Sequence, residues 1–574
     1  MSGRHRPAGA RARRSLRTPV AVLGVAGLVA LTAIAVQTVA ADADGCSTGG
    51  IRLSVAADPA IAPALRDIAA RWTESTPQIS GGCIRVEIAE RAPADMASSL
   101  GTRAGGPIDV AADPAPTPSE SDIPAVWIPD SVFWLSRVQS VDKNAFDIDT
   151  PSIAASPVVL GVSEADAAKL GGDGGARLTP DALRPLLTPA HADEAPALRL
   201  GIAEPRRDTA SLVGALVLHE ALVKSQSDLK NLVGAFRQIG RPAADPAALL
   251  KSFGQGVNAA PLSEQAVARH DAGNPAAPIA AVPIVSAPAL DFPYAILNGK
   301  PRNVFQAAVR FRAALIGGNY ADVLAKHGLR TADGVAGKGF PTGHGVTSAP
   351  AEIKPLNEVE QLRAVLGVWV AAKTASRVLA LVDVTQSMGS TMTGPNGNTE
   401  VRLNVLRRAS TDGLKLFTND SRLGMWAYAA GLDGPKDDRE VVPIGPLNQT
   451  QRDRITAAIN GAQPVPTNTC ALFETLLDAY KVMKQGYEPK LSNTIVVFTD
   501  GKSNKPGGLG LKQTQEQLES LTDITRPIRV ILLGVGPDVD MQQLEALALT
   551  TGGHAFEVRD PAEIGSIFLQ ALLR

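Results

Sequence analysis

The chain has 574 residues, which is too long for a single hydrophobic core and therefore predicts several domains. Lysine and arginine together number 56 against 57 aspartate and glutamate residues, so no excess of positive charge argues for nucleic-acid binding. Hydrophobic residues make up 45% and charged residues 20% of the chain, a composition typical of globular rather than disordered proteins.

The N-terminus combines a basic segment with a long apolar run. Residues 1–18 carry six arginines and no acidic residue, and the apolar run follows at residues 19–41. A run of this length matches the roughly 20 residues that span a bilayer, and the basic flank places the N-terminus in the cytoplasm and the remainder outside. We therefore expect a single-pass cell-membrane protein with a basic cytoplasmic tail. A signal peptide cleaved near Ala41-Asp42-Ala43 is the alternative.

The remainder divides into two halves that both alternate strands with helices. In residues 45–335, strands such as "IRLSVAA" and "IRVEIAE" alternate with helices such as "TASLVGALVLHEALV". This order predicts an α/β domain with a parallel sheet covered on both faces. Residues 336–374 contain a Gly- and Pro-containing linker and a connecting helix, which either bridges the halves or packs on one of them. Residues 375–574 repeat the alternation and predict a second, doubly wound α/β domain.

The cysteines predict one disulfide. Cys46 and Cys83 each precede a predicted strand, and an exported domain permits a disulfide. If the two strands are neighbours, the sulfurs meet at one edge of the sheet, so we expect a Cys46–Cys83 bond. Cys470 is left over and is predicted to be a small buried hydrophobe in an apolar helix. The three cysteines do not have the spacing of a metal site.

The first half resembles the bacterial extracytoplasmic solute-binding proteins, in which hinge strands join two lobes. The stretch "IRLSVAADPAIAPALRDIAARW" is similar to the opening strand and helix of that family, and "IDVAADPA" to its second rim strand. The stretches "SPVVLGVSEADAAKLG" and "VPIVSAPALDFPYAIL" are similar to the two hinge crossings. The resemblance implies that a small solute binds in the cleft, near strand ends and helix N-termini.

Three residues are candidates for the lining of this cleft: Thr209, Ser211 and Tyr294. A helix cap and a hinge aromatic are the alternative, structural roles for them. Asp58 and Asp113 each precede a proline at a predicted helix start, and a carboxylate at the positive end of a helix dipole opposes anion binding. A molybdate- or sulfate-like ligand is therefore disfavoured, and no small molecule is assigned.

In the second half, oxygen-bearing side chains follow buried strands or precede helices. They are Asp383, which ends the strand "RVLALVDVT", Thr385 and Ser387 just after it, Thr467 (with Thr469 as a less favoured choice) before a helix, and Asp500, which ends "VVFTDG". Sites in doubly wound sheets lie at the carboxyl ends of the strands, so these oxygens are predicted to share one rim. Such hard ligands suit Mg²⁺, Mn²⁺ or Ca²⁺. A salt bridge from a Lys or Arg side chain that plugs this rim would overturn the metal site.

This order resembles the von Willebrand factor A domain and its metal-ion-dependent adhesion site. The family's Asp-x-Ser-x-Ser motif reads Asp383-Val-Thr385-Gln-Ser387 here, with threonine where serine is usual. The resemblance implies that Thr385 and Ser387 coordinate the ion directly, that Thr467 does so directly or through water, and that Asp383 and Asp500 act mainly through water. It also implies that an Asp or Glu of a partner protein completes the coordination of Mg²⁺.

We therefore expect a fold of two parts: a two-lobed periplasmic-binding-protein-like domain and a Rossmann-like A domain. The expected function is that of a membrane-anchored extracytoplasmic binding protein of the bacterial cell envelope, which grips an acidic partner through a divalent cation. The alternative is the solute-binding component of an ABC-type importer with an accessory A domain. We do not expect an enzyme, because no phosphate-binding loop, nucleophile elbow or zinc motif occurs in the sequence.

Overall fold

The computed structural model describes residues 50–560, with gaps at 113–114, 148–149, 171–176, 188–196, 226–227, 275, 395–396, 415–416, 502, 524 and 538. The predicted tail and anchor, residues 1–18 and 19–41, lie outside the described residues, as do residues 561–574. Within the described part, no helix combines the length and the apolar character that crossing a bilayer requires.

The first domain contains two sheets, one in each lobe. Its strands are β1 (Gly50–Ala57), β2 (Gln78–Ile79), β3 (Gly82–Glu90), β4 (Val126–Ile128), β5 (Ser156–Ser163), β6 (Ala259–Ser263), β7 (Ile279–Pro283), β8 (Ala289–Leu290) and β9 (Ala295–Ile296). The first lobe has the order β2-β3-β1-β4-β9, and the second has β6-β5-β7 with β8 also on β5. The chain enters the second lobe through β5 and returns through β7, β8 and β9.

Helices cover these sheets. They are α1 (Ala62–Thr73), α2 (Pro93–Arg103), α3 (Val132–Gln139), α4 (Glu164–Lys169), α5 (Pro180–Leu187), α6 (Thr209–Leu222), α7 (Leu229–Gln238), α8 (Pro246–Lys251), α9 (Glu264–Gly273), α10 (Arg302–Gly317) and α11 (Ala321–Lys326). Helix α6 is buried almost throughout its length, as expected from its continuous apolar sequence.

Two features of the first domain differ from the sequence-based expectation. The sheet of the second lobe is antiparallel rather than parallel, because β5 leads into the lobe and β7 leads back, so that the two strands run in opposite directions. In addition, residues 108–112, the described part of the stretch "IDVAADP", do not form a strand. The position beside β1 is taken by β4, whose three residues are all completely buried.

The predicted disulfide lies partly outside the described residues. Strand β3 runs parallel to β1 with Cys83 opposite Gly50, so the strands that follow the two cysteines are neighbours, as the prediction required. Cys83 is disulfide-bonded, and its predicted partner, Cys46, is not among the described residues. Cys470 is free and buried. It precedes its helix, which begins at Leu472, rather than lying within it.

The second domain is a doubly wound sheet in the order β14-β13-β10-β15-β16-β17, parallel except for the β13–β14 hairpin at one edge. Its strands are β10 (Ser376–Asp383), β11 (Thr391–Thr393), β12 (Thr399–Val401), β13 (Arg422–Asp433), β14 (Lys436–Pro446), β15 (Ser492–Thr499), β16 (Arg529–Val535) and β17 (His554–Val558). Its helices are α13 (Arg402–Leu414), α14 (Gln449–Gly461), α15 (Leu472–Gln485), α16 (Leu511–Leu521) and α17 (Met541–Thr550). Apolar cores fill both faces of the sheet.

The segment between the domains is packed rather than slack. Phe340 and Val346, in the predicted linker, are buried in the apolar core of the second lobe. Helix α12 (Val359–Lys373) then packs on α6 and α7. Its Trp369 is completely buried, lies edge-on to Phe236 and donates from Nε1 to a carboxylate oxygen of Glu204 at 3.0 Å. The connecting helix therefore packs on the second lobe, which is one of the two alternatives that the sequence left open.

Candidate functional site

Four predicted metal ligands meet at the carboxyl edge of the second-domain sheet. Strands β10 and β15 are parallel neighbours with Val382 opposite Phe498, so Asp383 at the end of one strand lies beside the residues that follow the other. The loop after β10 turns back over this edge. We refer to Asp383, Thr385, Ser387 and Asp500 as the oxygen cup.

Each carboxylate of the oxygen cup accepts a hydrogen bond from one hydroxyl, and the two hydroxyls lie next to each other. The backbone N–H and the hydroxyl of Thr385 donate to Oδ1 of Asp383 at 2.9 and 2.6 Å. The hydroxyls of Thr385 and Ser387 are 3.0 Å apart. Ser387 donates to Oδ1 of Asp500 at 3.1 Å. A hydroxyl that donates its proton to a carboxylate keeps lone pairs for another partner, such as a cation.

Asp383 is completely buried, and its second oxygen is also bonded. Oδ2 accepts a hydrogen bond from the hydroxyl of Thr499 at 3.0 Å and lies 3.5 Å from the sulfur of Cys470. Burial, with the nearby charge of Asp500, raises the pKa of Asp383 to about 6. Burial and Asp383 also raise the pKa of the Cys470 thiol, so it stays protonated as a donor.

Thr467 approaches the oxygen cup mainly through its backbone. Its carbonyl accepts a hydrogen bond from the N–H of Gln386 at 2.7 Å, which fixes its segment against the loop that carries Thr385 and Ser387. Its hydroxyl accepts from the N–H of Thr469 at 3.2 Å. The structure therefore places Thr467 beside the cup, but its hydroxyl has a local partner.

Arg402 is a charged member of this site that was not predicted from the sequence. Its Nη1 lies 2.8 Å from Oδ2 of Asp500, and both side chains are less than a tenth exposed. Arg402 is the first residue of α13, and the residues around it, such as Leu403, indicate only an amphipathic helix. The guanidinium of Arg402 contacts Oδ2 of Asp500, whereas Ser387 donates to Oδ1, so the ion pair and the hydroxyl use different oxygens of this carboxylate. A salt bridge of the kind that could overturn the metal site is therefore present at Asp500, but it does not engage the hydroxyls of Thr385 and Ser387.

The donor set of the oxygen cup fits a hard divalent cation. Its ligating atoms are carboxylate and hydroxyl oxygens, which suit Mg²⁺. In the described part of the chain, no group of three or more His, Cys, Asp or Glu side chains is arranged so that it could hold a metal ion, so a cation here would depend on the hydroxyls.

In the first domain, Thr209 joins the two lobes. It is buried at the start of α6 in the second lobe, whereas Asp130 and Trp134 belong to the first. Its hydroxyl donates to Oδ1 of Asp130 at 2.8 Å and accepts from Nε1 of Trp134 at 2.9 Å. The protein's own carboxylate therefore lies at the N-terminus of α6, where the family resemblance placed a ligand.

The other two candidate cleft residues also serve the fold. The hydroxyl of Ser211 is completely buried and accepts from the N–H of Ala203 at 3.0 Å. The hydroxyl of Tyr294 is buried and donates to the carbonyl of Ala308 at 2.9 Å. The structural alternatives considered for these residues, a cap contact and a packed aromatic, thus account for their positions.

Ion pairs also cross between the lobes. Arg206, which precedes α6 in the second lobe, pairs with Asp109 of the first at 3.2 Å. Its neighbour Arg207 pairs with Asp95 of α2 at 2.6 Å. Arg137 of α3 donates to the carbonyl of Arg206 at 3.3 Å. These contacts join the two lobes next to the start of α6, where Thr209 lies.

Asp58 and Asp130 are buried carboxylates whose charges interact. Burial raises the pKa of Asp58 to about 7, with contributions from Asp208 and Glu90 that Arg269 and the N–H of Ala60 oppose. Burial also raises the pKa of Asp130, and the charge of Asp58 adds to this effect.

Asp58 was expected to cap a helix, but α1 begins only at Ala62, and the carboxylate accepts instead from Ala60 N–H in the preceding turn. Asp113 lies outside the described residues.

Comparison with protein families divides the chain in the same way. Residues 53–330 match the family model of the bacterial extracellular solute-binding protein, and residues 378–570 match that of the von Willebrand factor type A domain. The uncharacterized protein Rv1836c of Mycobacterium tuberculosis strain ATCC 25618 / H37Rv is 26% identical over 541 residues. This match covers 88% of the present chain and 74% of that protein.

Solved structures match one domain or the other. Iron-bound HitA from Pseudomonas aeruginosa is 14% identical, and the match covers 56% of this chain and 99% of HitA with a TM-score of 0.40. The von Willebrand factor type A protein from Catenulispora acidiphila is 16% identical, and the match covers 35% of this chain and 42% of that one with a TM-score of 0.28.

Proposed function

Because the chain carries a bacterial extracellular solute-binding domain followed by a von Willebrand factor type A domain, we propose that it is a binding protein of the cell envelope rather than an enzyme. In this proposal, residues 19–41 anchor the chain in the cell membrane, with the N-terminus in the cytoplasm and both domains outside. The A domain binds a divalent cation, Mg²⁺ in preference to Mn²⁺ or Ca²⁺, and through it an acidic group of a partner protein.

The observation that carries the proposal is the continuous path of oxygen contacts from Asp383 through the hydroxyls of Thr385 and Ser387 to Asp500, in which each hydroxyl donates to one carboxylate. This path brings together two carboxylates and two hydroxyls from segments more than a hundred residues apart. Asp383 and Asp500 would hold the cation electrostatically, and the hydroxyls of Thr385 and Ser387 would offer neutral oxygens. A divalent cation that is bound largely by neutral oxygens supplies an attractive centre for an external carboxylate.

For the first domain, we propose the role of a scaffold rather than that of a solute carrier. The contacts of Thr209 with Asp130 and Trp134, and the ion pairs of Arg206 and Arg207, support this role because they use the groups that a cleft ligand would need. A carrier for an importer would have to exchange these contacts for its solute on every cycle.

Calorimetric titration of the full-length chain in detergent micelles with MgCl₂ tests the metal site. We expect the wild type to bind with measurable heat at pH 8, where Asp383 is ionised, and Asp383→Ala to lose it. Ser390→Ala is the matched control, because this exposed serine lies beside the motif and is not a member of the oxygen cup. Equal heats from the wild type and Asp383→Ala would remove the metal site from the proposal.

A thermal-shift screen against small solutes tests the scaffold role separately. We expect no solute to raise the unfolding temperature of the first domain. A reproducible shift with one solute class would favour the importer alternative instead.

A further inference from the structure

The buried side chain of Arg402 lies beside the oxygen cup, next to Asp500. Its backbone N–H donates to the carbonyl of Ser390 at 3.0 Å, which holds the start of α13 against the loop of the cup. Its Nη1 reaches Oδ2 of Asp500 at 2.8 Å, and only 7% of the Arg402 side chain and 3% of the Asp500 side chain are exposed. A charged pair with so little access to water interacts far more strongly than a surface pair.

The guanidinium is also enclosed from behind by Gly536, which follows β16. A Cβ built on Gly536 would lie 2.9 Å from Nε of Arg402 and 3.1 Å from its Cζ, and the backbone φ of Gly536 is +109°. Both the space and the conformation therefore require glycine at this position. The slot leaves Arg402 little freedom to move away from Asp500, so its charge is a fixed part of the site.

This fixed charge changes the electrostatics of the site. When ionised, Asp383 and Asp500 carry two negative charges, and Arg402 adds one positive charge beside them. A divalent cation adds two positive charges, so the loaded site is one charge more positive with Arg402 than without it. This additional buried positive charge favours an anionic ligand and opposes the entry of the cation.

We infer that Arg402 is a specificity-determining residue of this site, which weakens the binding of the cation alone and strengthens the binding of an acidic ligand to the loaded cup. This inference rests on the proposed metal-dependent function. It means that cation and acidic ligand bind cooperatively, and because coupling between two ligands is reciprocal, each raises the affinity of the site for the other.

The test is a calorimetric titration of the full-length chain in detergent micelles with MgCl₂ at pH 8. Each titration is run without peptide, with a hexaglutamate peptide and with a hexaglutamine peptide as the neutral control. The variants are Arg402→Met, which removes the charge, Arg402→Lys, which keeps it, and Asp383→Ala, which removes the cup. Circular dichroism checks that each variant is folded. Arg402→Gln, whose amide can still donate to Asp500, replaces the Met variant if that one does not fold.

For the wild type and Arg402→Lys, we expect weak Mg²⁺ binding that hexaglutamate strengthens and hexaglutamine does not. Arg402→Met should bind Mg²⁺ roughly tenfold more tightly without peptide, since one opposing charge is gone, and should lose most of the effect of hexaglutamate. Equal Mg²⁺ affinity and equal peptide effect in the wild type and Arg402→Met, with no heat from Asp383→Ala, would overturn the role of Arg402 and leave the metal site standing. Absence of Mg²⁺ heat from every protein would overturn both.

Discussion

In the second domain, the hydroxyls of Thr385 and Ser387 lie between two buried carboxylates on one edge of one sheet, whereas in the first domain the hydroxyl of Thr209 is enclosed between two lobes. Both places lie at strand ends or helix starts, where parallel α/β folds usually place their sites. In the second domain, all partners belong to one rigid edge. In the first, Asp130 and Trp134 approach from the opposite lobe.

The difference teaches that the position of polar groups in a fold does not by itself make a binding site. Thr209 has the expected chemistry at the expected helix start, yet its hydrogen bonds are used within the protein. The oxygen cup also has internal hydrogen bonds, but its hydroxyls keep acceptor capacity on a rim formed by a single domain. Substitutions in the two places can therefore distinguish a binding site from a structural contact between lobes.

The largest effect is expected from Asp500→Ala. This change leaves the buried guanidinium of Arg402 without its counter-charge, and breaking a buried pair on one side costs about 3–5 kcal/mol. Hydrogen exchange of the amides in β10 and β15 measures the loss of stability in this domain. Ser387→Ala is the control, because it removes a neutral hydroxyl worth about 1 kcal/mol. A loss for Asp500→Ala no larger than that of the control would contradict the importance of the ion pair.

The next largest effect is expected at Asp58, where removal of the charge should raise the free energy of unfolding instead of lowering it, and the size of the effect depends on pH. The pKa of Asp58 is raised from 3.8 to about 7 in the folded state, so between these values the unfolded chain ionises while the folded chain keeps its proton. The stability that this group contributes is present below pH 4 and is lost as the pH rises to 7. One pKa unit corresponds to about 1.4 kcal/mol, so the loss is roughly 4 kcal/mol at most.

Asp58→Asn keeps the acceptor for the N–H of Ala60 and removes the charge. We therefore expect the variant to be more stable than the wild type at pH 8 and similar to it at pH 4. Thermal unfolding at a series of pH values measures the difference. The explanation is wrong if the wild type does not lose stability relative to Asp58→Asn as the pH rises.

A smaller effect is expected from Thr209→Val. The change removes the hydroxyl and leaves Asp130 and the indole of Trp134 without this partner in a buried position, at a cost of about 1–3 kcal/mol. Hydrogen exchange should rise at the start of α6, because the lobes lose a contact there. Thr209→Ser keeps the hydroxyl and should behave like the wild type. Equal exchange in Thr209→Val and Thr209→Ser would show that this contact does not hold the lobes together.

The smallest effect on stability is expected from Thr467→Val. Its hydroxyl accepts a hydrogen bond from the N–H of Thr469 in a half-buried position, so the free energy of unfolding should fall by about 1 kcal/mol or less. The Mg²⁺ affinity should nevertheless decrease, if this hydroxyl completes the coordination as the family resemblance implies. Calorimetry measures that affinity, and an unchanged value would remove Thr467 from the predicted ligands.

The oxygen cup could be predicted from the sequence because its members are marked locally. Asp383 and Asp500 each end a continuous apolar strand, and the parallel pairing of β10 with β15 brings such ends together without further information. Thr385 and Ser387 follow within four residues of Asp383. The doubly wound fold of this domain was predictable for the same reason, because apolar strands alternate with amphipathic helices.

Arg402 and the closed cleft could not be predicted, because their partners are distant in the sequence. Arg402 is separated from Asp500 by 98 positions and Thr209 from Asp130 by 79, and no local pattern distinguishes these residues from an ordinary helix start. The antiparallel sheet of the second lobe escaped prediction for a related reason. Apolar strands between helices look the same whether the chain enters a lobe or leaves it.

Only two residues separate the end of α12 from the start of β10, the strand that carries Asp383 at its far end. Helix α12 is in turn held to the second lobe by Trp369 and by Lys373, which donates to the carbonyls of Ile239 and Gly240. A pulling force on the oxygen cup would thus pass along β10 to α12 and to the contacts of α12 with α6 and α7. The packing of this helix, rather than the elasticity of a tether, would then resist the force.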